Sequence, residues 1–173
     1  MAGTYARHMP IPPYVAALRA RVGTDPLWLP GVTAVVLDDD GRLLLGQRAD
    51  SGQWALVSGI LEPGEEPAVG IAREVLEETG VAIVVEALAA VTTTPEVTYG
   101  NGDRSAYLDV LFVARAASRD AAAAARVGDD ESLAVSWFPR DALPDDLAQT
   151  TRERLALAER FLAAPQQGAY FVR

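Results

Sequence analysis

The pattern of apolar and polar residues predicts alternating strands and helices along most of the chain. Two apolar runs, Val32–Leu37 and Leu43–Arg48, are joined by Asp38–Gly41. Because Asp-Gly between such runs favours a tight turn, they indicate a β-hairpin. Similar runs predict further strands at Gln53–Val57, within Ala82–Thr94 with an interruption near Glu86, at Tyr107–Ala114 and at Leu133–Phe138.

Helical spacing of apolar residues occurs in three places. Tyr14–Val22 predicts a short helix stopped by Gly23, and a second helix is expected to end at Gly80. A third is predicted from Pro144 to about Ala163, with leucines on one side and arginines on the other. Ala116–Arg126 is alanine-rich and is interpreted as either a short helix or a mobile insertion. Strands on both sides of a central helix predict an α/β/α sandwich with a mixed β-sheet.

The central helix carries a cluster of acids. At about 100° per residue, Glu74, Glu77 and Glu78 share one face. The neighbouring face is small and apolar, suited to packing on a sheet, and holds Ala68, Ala72, Val75 and Thr79. Like charges four residues apart destabilise an isolated helix by roughly 0.2–0.5 kcal/mol per pair. The cluster is therefore either a solvated acidic surface or a site for a hard cation such as Mg²⁺.

The loop before this helix favours the second interpretation. Gly59–Glu65 contains two glycines and a proline, where the backbone must bend and approach something closely. From Gly59 to Val81 the spacing resembles the complete box of the Nudix hydrolase family, G-x5-E-x7-R-E-U-x-E-E-x-G-U with U aliphatic. No fixed position of that pattern is missing. One departure is Ser58, where many members carry a second glycine.

The resemblance implies a metal site and a fold. The implied fold is the Nudix-type α/β/α sandwich, and the implied cofactor is Mg²⁺ or Mn²⁺. Its ligands would be Glu74, Glu77 and Glu78, with the backbone carbonyl of Ser58 or Gly59 as a further candidate. Since a serine still supplies a carbonyl, the departure at Ser58 leaves this expectation standing.

The resemblance also implies catalytic roles outside the metal ligands. Arg73 is expected to pair with Glu65 and so orient the loop against the helix. The base towards water is either Glu74 or a loop acid such as Glu131, and the two are not separated. Glu131 belongs to the acidic run Asp129–Glu131, which by composition alone would be a solvated turn. We expect it to lie on a loop that swings over substrate.

The implied reaction is hydrolysis of a nucleoside diphosphate linked to another moiety, giving a nucleoside monophosphate and a phosphate-containing product. The substrate would be ADP-ribose-like or a nucleoside triphosphate such as 8-oxo-dGTP. Pro95 resembles the marker proline of ADP-ribose-cleaving members, whereas Tyr99 resembles the marker tyrosine of dinucleoside-polyphosphate members. Trp28, Tyr99 and Tyr107 are candidate substrate-binding residues through base stacking, with core packing as the alternative.

Two other classes of protein with a Nudix-like fold are alternatives to a Nudix hydrolase. A catalytically inactive Nudix-like nucleotide-binding module would be expected to have lost acids of the box, and none is lost. Isopentenyl-diphosphate isomerase has a similar fold but relies on a cysteine. This chain has no cysteine, which also excludes disulfides.

Charge and length limit the partners. With 15 basic and 24 acidic residues the net charge is −9, so we expect no nucleic-acid duplex, which requires a basic footprint. No apolar run reaches the length of a membrane span, so no membrane partner is expected. The expected partner is a small-molecule nucleotide, and a homodimer is a candidate assembly.

The ends of the chain carry further expectations. Met1–His8 has no periodicity, contains the chain's single histidine, and is interpreted as an expression tag or disordered start. Residues 9–173 are expected to form one Nudix hydrolase domain. Nothing resembles a signal peptide, so the expected location is cytoplasmic.

Overall fold

The computed structural model describes residues 12–172. The interpretation of Met1–His8 therefore lies outside the described residues. The helices are α1 (Pro13–Val22), α2 (Pro67–Thr79), α3 (Arg119–Ala123) and α4 (Gln149–Ala163), followed by a 3-10 turn at Pro165–Gln167. The strands are β1 (Leu27–Leu37), β2 (Leu43–Arg48), β3 (Trp54–Ala55), β4 (Ser58–Ile60), β5 (Ile83–Thr93), β6 (Val97–Thr98), β7 (Arg104–Ala116) and β8 (Ser132–Phe138). None of these helices is long and apolar enough to cross a membrane.

The strands form the mixed sheet that the sequence predicts. β1 runs parallel to β7, from Leu27 opposite Ser105 to Leu37 opposite Arg115, and β5 is antiparallel to β7. β2 pairs with β1 only at Leu37 and Leu43. Beyond that point β1 pairs instead with β4, while β2 pairs with β3 and β8. β1 with β4 therefore separates from β2 with β3 and β8. The residues at the Arg48 end of β2 border a gap beside β4.

A hydrophobic core lies on each face of the sheet, which confirms the sandwich. The core beneath α2 includes Val32, Leu44, Leu61, Ile71, Val75, Val81 and Phe112. The core beneath α4 includes Val35, Leu43, Leu45, Leu56, Leu111, Leu147 and Ala158. Because successive strand residues point to opposite faces, Val32 and Val35 of the same strand serve different cores.

The buried face of α2 differs from the predicted one. Ile71, Val75 and Thr79 are fully buried, whereas Ala68 is exposed and Ala72 is half-buried. Ala68 lies in the first turn of α2, and the larger Ile71 takes the position against the sheet. The apolar face of α2 still lies next to the acidic face, as predicted, because Val75 and Thr79 pack inward.

The predicted start of α4 is also wrong. The helix begins at Gln149 rather than Pro144, because the residues before it bond to β3. The Trp54 N–H donates to the Asp146 carbonyl (3.2 Å) and the Ala148 N–H donates to the Trp54 carbonyl (2.8 Å). Leu147 between them is buried. A helical start at Pro144 would forfeit this pairing.

One arginine of α4 faces the sheet instead of the outer side predicted for the arginines. Arg154 Nε donates to Asp109 Oδ2 at 2.8 Å, and the Thr33 hydroxyl donates to Asp109 Oδ1, also at 2.8 Å. Asp109 lies in the interior of β7 and is 3% exposed. A buried carboxylate needs such partners, so this pair ties α4 to the sheet.

Two predicted irregular segments have defined structure. β5 is continuous from Ile83 to Thr93, but its register against β7 shifts between Val85 and Ala87. This bulge falls at Glu86, where the interruption is predicted. The alanine-rich segment contains the short helix α3, whose N-cap Ser118 accepts a hydrogen bond from the Ala121 N–H at 3.0 Å.

Candidate active site

The glycine of β4 and the acidic helix fit closely together. β4 crosses α2 so that the Glu74 side chain occupies the space where a Cβ on Gly59 would lie. Gly80, with φ 68°, ends the helix as predicted, and its N–H donates to the Leu76 carbonyl. The small residue on the strand therefore places the carboxyl group of Glu74 against the β4 backbone.

The predicted pairing of Arg73 with Glu65 is present. Arg73 donates from Nε to Glu65 Oε1 (2.8 Å) and from Nη2 to Glu65 Oε2 (3.0 Å). This bidentate contact lowers the pKa of Glu65. Glu65 Oε2 also accepts from the Glu62 N–H at 3.1 Å. The loop is thus held against the helix, while the part of this pair in catalysis stays a prediction.

Two of the three predicted metal ligands also contact Arg73. Its Nη1 lies 3.0 Å from Glu74 Oε1 and 3.1 Å from Glu77 Oε2. The Glu74 side chain is 17% exposed and that of Glu77 is 57% exposed. Burial raises the pKa of Glu74 in spite of the neighbouring guanidinium. Arg73 therefore compensates part of the acidic charge from one side of the helix.

Glu78, the third predicted ligand, has a strongly raised pKa. Burial, and then repulsion from Glu131 and Glu74, raise its pKa to about 9. Burial and repulsion from Asp129 also raise the pKa of Glu131, to about 7. Acids from α2 and from the segment before β8 thus share one electrostatic environment, while the role of Glu131 towards water stays a prediction.

A divalent cation fits this environment in charge and in donor chemistry. The donors are carboxylate oxygens, which Mg²⁺ and Mn²⁺ prefer, and burial beside like charges calls for a cation. In residues 12–172, however, no three acidic side chains lie close enough together to hold one ion. Glu74 and Glu77 face Arg73 instead. Binding a metal at all three glutamates would require these two side chains to turn towards Glu78.

Glu131 is more firmly held than the expected swinging loop. The Glu131 N–H donates to Asp129 Oδ1 (2.9 Å), and the Ala49 N–H donates to the Glu131 carbonyl (2.7 Å). The next residue, Ser132, begins β8 and pairs with Arg48 of β2. The backbone of Glu131 is therefore bonded to the edge of the sheet next to β2, and its position depends on the contacts of this segment.

Arg48 is a site residue that the sequence analysis missed. It lines a cavity of about 50 Å³ together with Asp50, Ser58, Glu78 and Glu131. Its Nε donates to Asp50 Oδ1 at 2.9 Å, and this hydrogen bond raises the pKa of Arg48. The sequence signal for Arg48 was its position at the end of a predicted strand, two residues before Asp50. That pattern is equally typical of an ordinary surface ion pair.

The three aromatic candidates do not form one stacking surface. The hydroxyl groups of Tyr99 and Tyr107 are 2.6 Å apart, and burial raises the pKa of Tyr99. Trp28 is 60% exposed on β1, and among the described residues it makes no ring contact with either tyrosine. Tyr14 of α1 has a buried hydroxyl without a hydrogen-bond partner in the described part of the chain. Tyr99 and Tyr107 are therefore adjacent, and Trp28 is separate from them.

Comparison with known proteins identifies the architecture. The NUDIX domain family matches residues 27–158. This chain belongs to the Nudix hydrolase family. A MutT-like protein of Streptomyces ambofaciens is 38% identical over 130 residues, covering 75% of this chain and 76% of that protein. The predicted family and fold are thereby confirmed.

Other Nudix relatives differ in the activity that their names state. The human 8-oxo-dGDP phosphatase NUDT18 is 32% identical over 119 residues, which cover 67% of this chain but only 34% of that protein. The nucleoside triphosphatase NudI of Escherichia fergusonii is 28% identical, covering 73% of this chain and 94% of that protein. Among solved structures, a MutT Nudix hydrolase of Burkholderia pseudomallei superposes with a TM-score of 0.61 at 28% identity, covering 76% of this chain and 98% of that one.

Proposed function

We propose that this Nudix hydrolase is a Mg²⁺- or Mn²⁺-dependent pyrophosphohydrolase acting on a nucleoside diphosphate linked to a further group. The products would be a nucleoside monophosphate and a phosphate-containing remainder. The observation that carries the proposal is the cavity lined by Glu78, Glu131 and Ser58, in which burial and repulsion from Glu131 and Glu74 raise the pKa of Glu78. Such a concentration of negative charge in a cavity suits a cation and the phosphates bound to it.

The proposed roles divide between the helix and the loops. Glu74, Glu77 and Glu78 would hold the cation, with the Ser58 or Gly59 carbonyl as a further ligand. When bound, the cation would neutralise charge on the diphosphate and lower the pKa of a coordinated water. Attack of a water molecule on phosphorus would break the bond to the bridging oxygen, which would leave on the other product.

The proton released from the attacking water needs an acceptor in the chain. Glu131 and Glu74 both remain candidates, since each is a partly buried carboxyl group with a raised pKa. The Arg73–Glu65 pair would keep the loop in place during the reaction. Arg48 donates from both Nε and Nη2 to Asp50 beside the acids, and its positive charge suits a neighbouring phosphate oxygen.

For the substrate, we give nucleoside triphosphates and diphosphates, oxidised ones included, precedence over ADP-ribose. The names of the 8-oxo-dGDP phosphatase NUDT18 and the nucleoside triphosphatase NudI support this order. ADP-ribose-like substrates are retained because Pro95 lies near the position of the marker proline in members that cleave them. Tyr99 and Tyr107 are the proposed contacts for the nucleoside.

A substrate panel tests the proposal. Purified protein would be given ordinary and oxidised nucleoside triphosphates, nucleoside diphosphates, ADP-ribose and dinucleoside polyphosphates, and nucleoside monophosphate release would be followed with Mg²⁺, with Mn²⁺ and with EDTA. We expect turnover of at least one class with either metal and none in EDTA. Full turnover in EDTA would refute the metal requirement. Binding without turnover across the panel would favour the inactive nucleotide-binding module.

A further inference from the structure

The segment Arg126–Gly128 closes the last turn of the acidic helix. The Arg126 N–H donates to the Thr79 carbonyl (2.9 Å), and the Gly128 N–H donates to the Glu78 carbonyl (2.8 Å). The last carbonyl groups of an α-helix have no partner within the helix. Here the loop that follows α3 supplies two of the missing donors, one of them to a proposed metal ligand.

Gly128 permits this contact because it has no side chain. A Cβ at this position would overlap the Glu77 carbonyl oxygen and would also crowd the carbonyl carbon of Glu78. These are backbone atoms of a helix, so they cannot rotate away as the end of a side chain could. Gly128 is not among the glycines with positive φ. Its requirement for glycine therefore comes from close approach and not from backbone conformation.

The same contact fixes the start of the segment that carries Glu131. Only Asp129 and Asp130 lie between Gly128 and Glu131. On the other side, the Glu131 carbonyl is bonded to the Ala49 N–H at the end of β2. The position of Glu131 is thus set by two anchors, one on α2 and one on β2, with a short chain between them.

We propose that Gly128 is a positioning residue for the hydrolysis: its contact with the last turn of α2 sets where Glu131 lies relative to Glu78. This inference rests on the proposed function for its catalytic consequence. With a larger residue at 128, the loop rather than the helix would move, because the helix is packed on the sheet through Val75 and Thr79. Glu131 would then be displaced from the other acids.

A substitution and a double-mutant cycle test the proposal. Gly128→Ala should lower kcat about tenfold or more and leave KM within about twofold, since a displacement near 1 Å at a reacting group is enough for such a loss. In a Glu131→Gln background the same substitution should lower kcat less than about twofold, because the effect acts through Glu131. Equal losses in both backgrounds, or no loss in the wild-type background, would overturn the inference.

Hydrogen exchange gives a readout that does not depend on turnover. The Ala49 amide bonds to Glu131, so in Gly128→Ala it should exchange about tenfold faster in metal-free protein than in the wild type. Unchanged exchange at Ala49 would overturn the inference whatever the activity. If the wild-type protein turns over no substrate, the proposed function fails, and this exchange measurement alone decides whether Gly128 fixes the loop.

Two further variants separate positioning from folding. Val127→Ala alters the adjacent, 41% exposed side chain and should leave kcat and Ala49 exchange unchanged. Should Gly128→Ala fail to fold, one glycine inserted between Gly128 and Asp129 leaves the helix contact intact and lengthens only the connection to Glu131. That insertion should reproduce the loss of kcat with little change in Tm, and wild-type kcat in it would refute the proposal.

Discussion

Replacing Gly59 with alanine should separate the active site from the stability of the fold. Gly59 lies in β4, and its φ is not positive, so alanine can adopt its backbone conformation. The obstacle is the Glu74 side chain, which occupies the position of the new Cβ. Restoring ordinary contact at about 3.5–4 Å would move the carboxyl group by about 1 Å or more. The variant therefore displaces a proposed metal ligand and little else.

The expected magnitudes differ widely between function and folding. A displacement of about 1 Å at a catalytic group lowers kcat by about 100-fold. The free energy of unfolding should change by no more than about 1 kcal/mol, because the end of a flexible side chain moves and alanine reduces the entropy of the unfolded chain. We therefore expect severe loss of turnover and weaker Mn²⁺ binding in a protein that melts nearly as the wild type does.

The assay combines kcat under saturating Mg²⁺, Mn²⁺ affinity by titration, and Tm without metal. Gly100→Ala is the matched control, since a Cβ there would meet no atom within 4 Å and Gly100 has no positive φ. Wild-type kcat in Gly59→Ala would refute the view that the position of Glu74 is critical. A large fall in Tm would show instead that Gly59 is required for folding.

Two predictions concern the other acids. In metal-free protein, Glu78→Gln should raise Tm, and the gain should grow from pH 5 to pH 8. The folded-state pKa of Glu78 is about 9, against an ordinary value of 4.5. Wild-type stability therefore falls as pH rises through that window, because the folded protein must either keep this proton or bury a charge. A gain that shrinks with pH would contradict this. Glu131→Gln should reduce kcat by about 10²-fold or more with near-normal Mn²⁺ affinity, whereas Glu74→Gln should weaken both. Normal turnover in Glu131→Gln would show that Glu131 has no catalytic role and that Asp129–Glu131 is only a solvated turn.

The fold was predictable because its signals are local. The hairpin between β1 and β2, the stop of α2 at Gly80 and the bulge at Glu86 each depend on residues close together in the sequence. The start of α4 was not predictable in this way, because Asp146 and Ala148 are held by Trp54, far away in the chain. The inward direction of Arg154 likewise depends on a buried aspartate on another element.

In the candidate site, too, the features that depend on nearby residues were predictable and those that depend on distant residues were not. The acidic face follows from spacing within one helix, and the Arg73–Glu65 pair follows from the resemblance of the loop and that helix to the Nudix box. The surroundings of Glu131 do not, since they depend on contacts with α2 and β2 that only the folded chain brings together. Arg48 was missed for that reason: its neighbours Glu78 and Glu131 come from two other parts of the sequence.

The position of Glu77 and Glu78 also explains why the loop at Gly128 matters. Both acids lie in the last turn of α2, where the helix dipole disfavours negative charge. The backbone N–H groups of Arg126 and Gly128 offset part of this cost by bonding to the carbonyl groups of the same turn. Binding of the proposed cation would reduce this cost to stability further. The acids are therefore held where they weaken the isolated helix, and the segment that stabilises that turn is also the segment that carries Glu131.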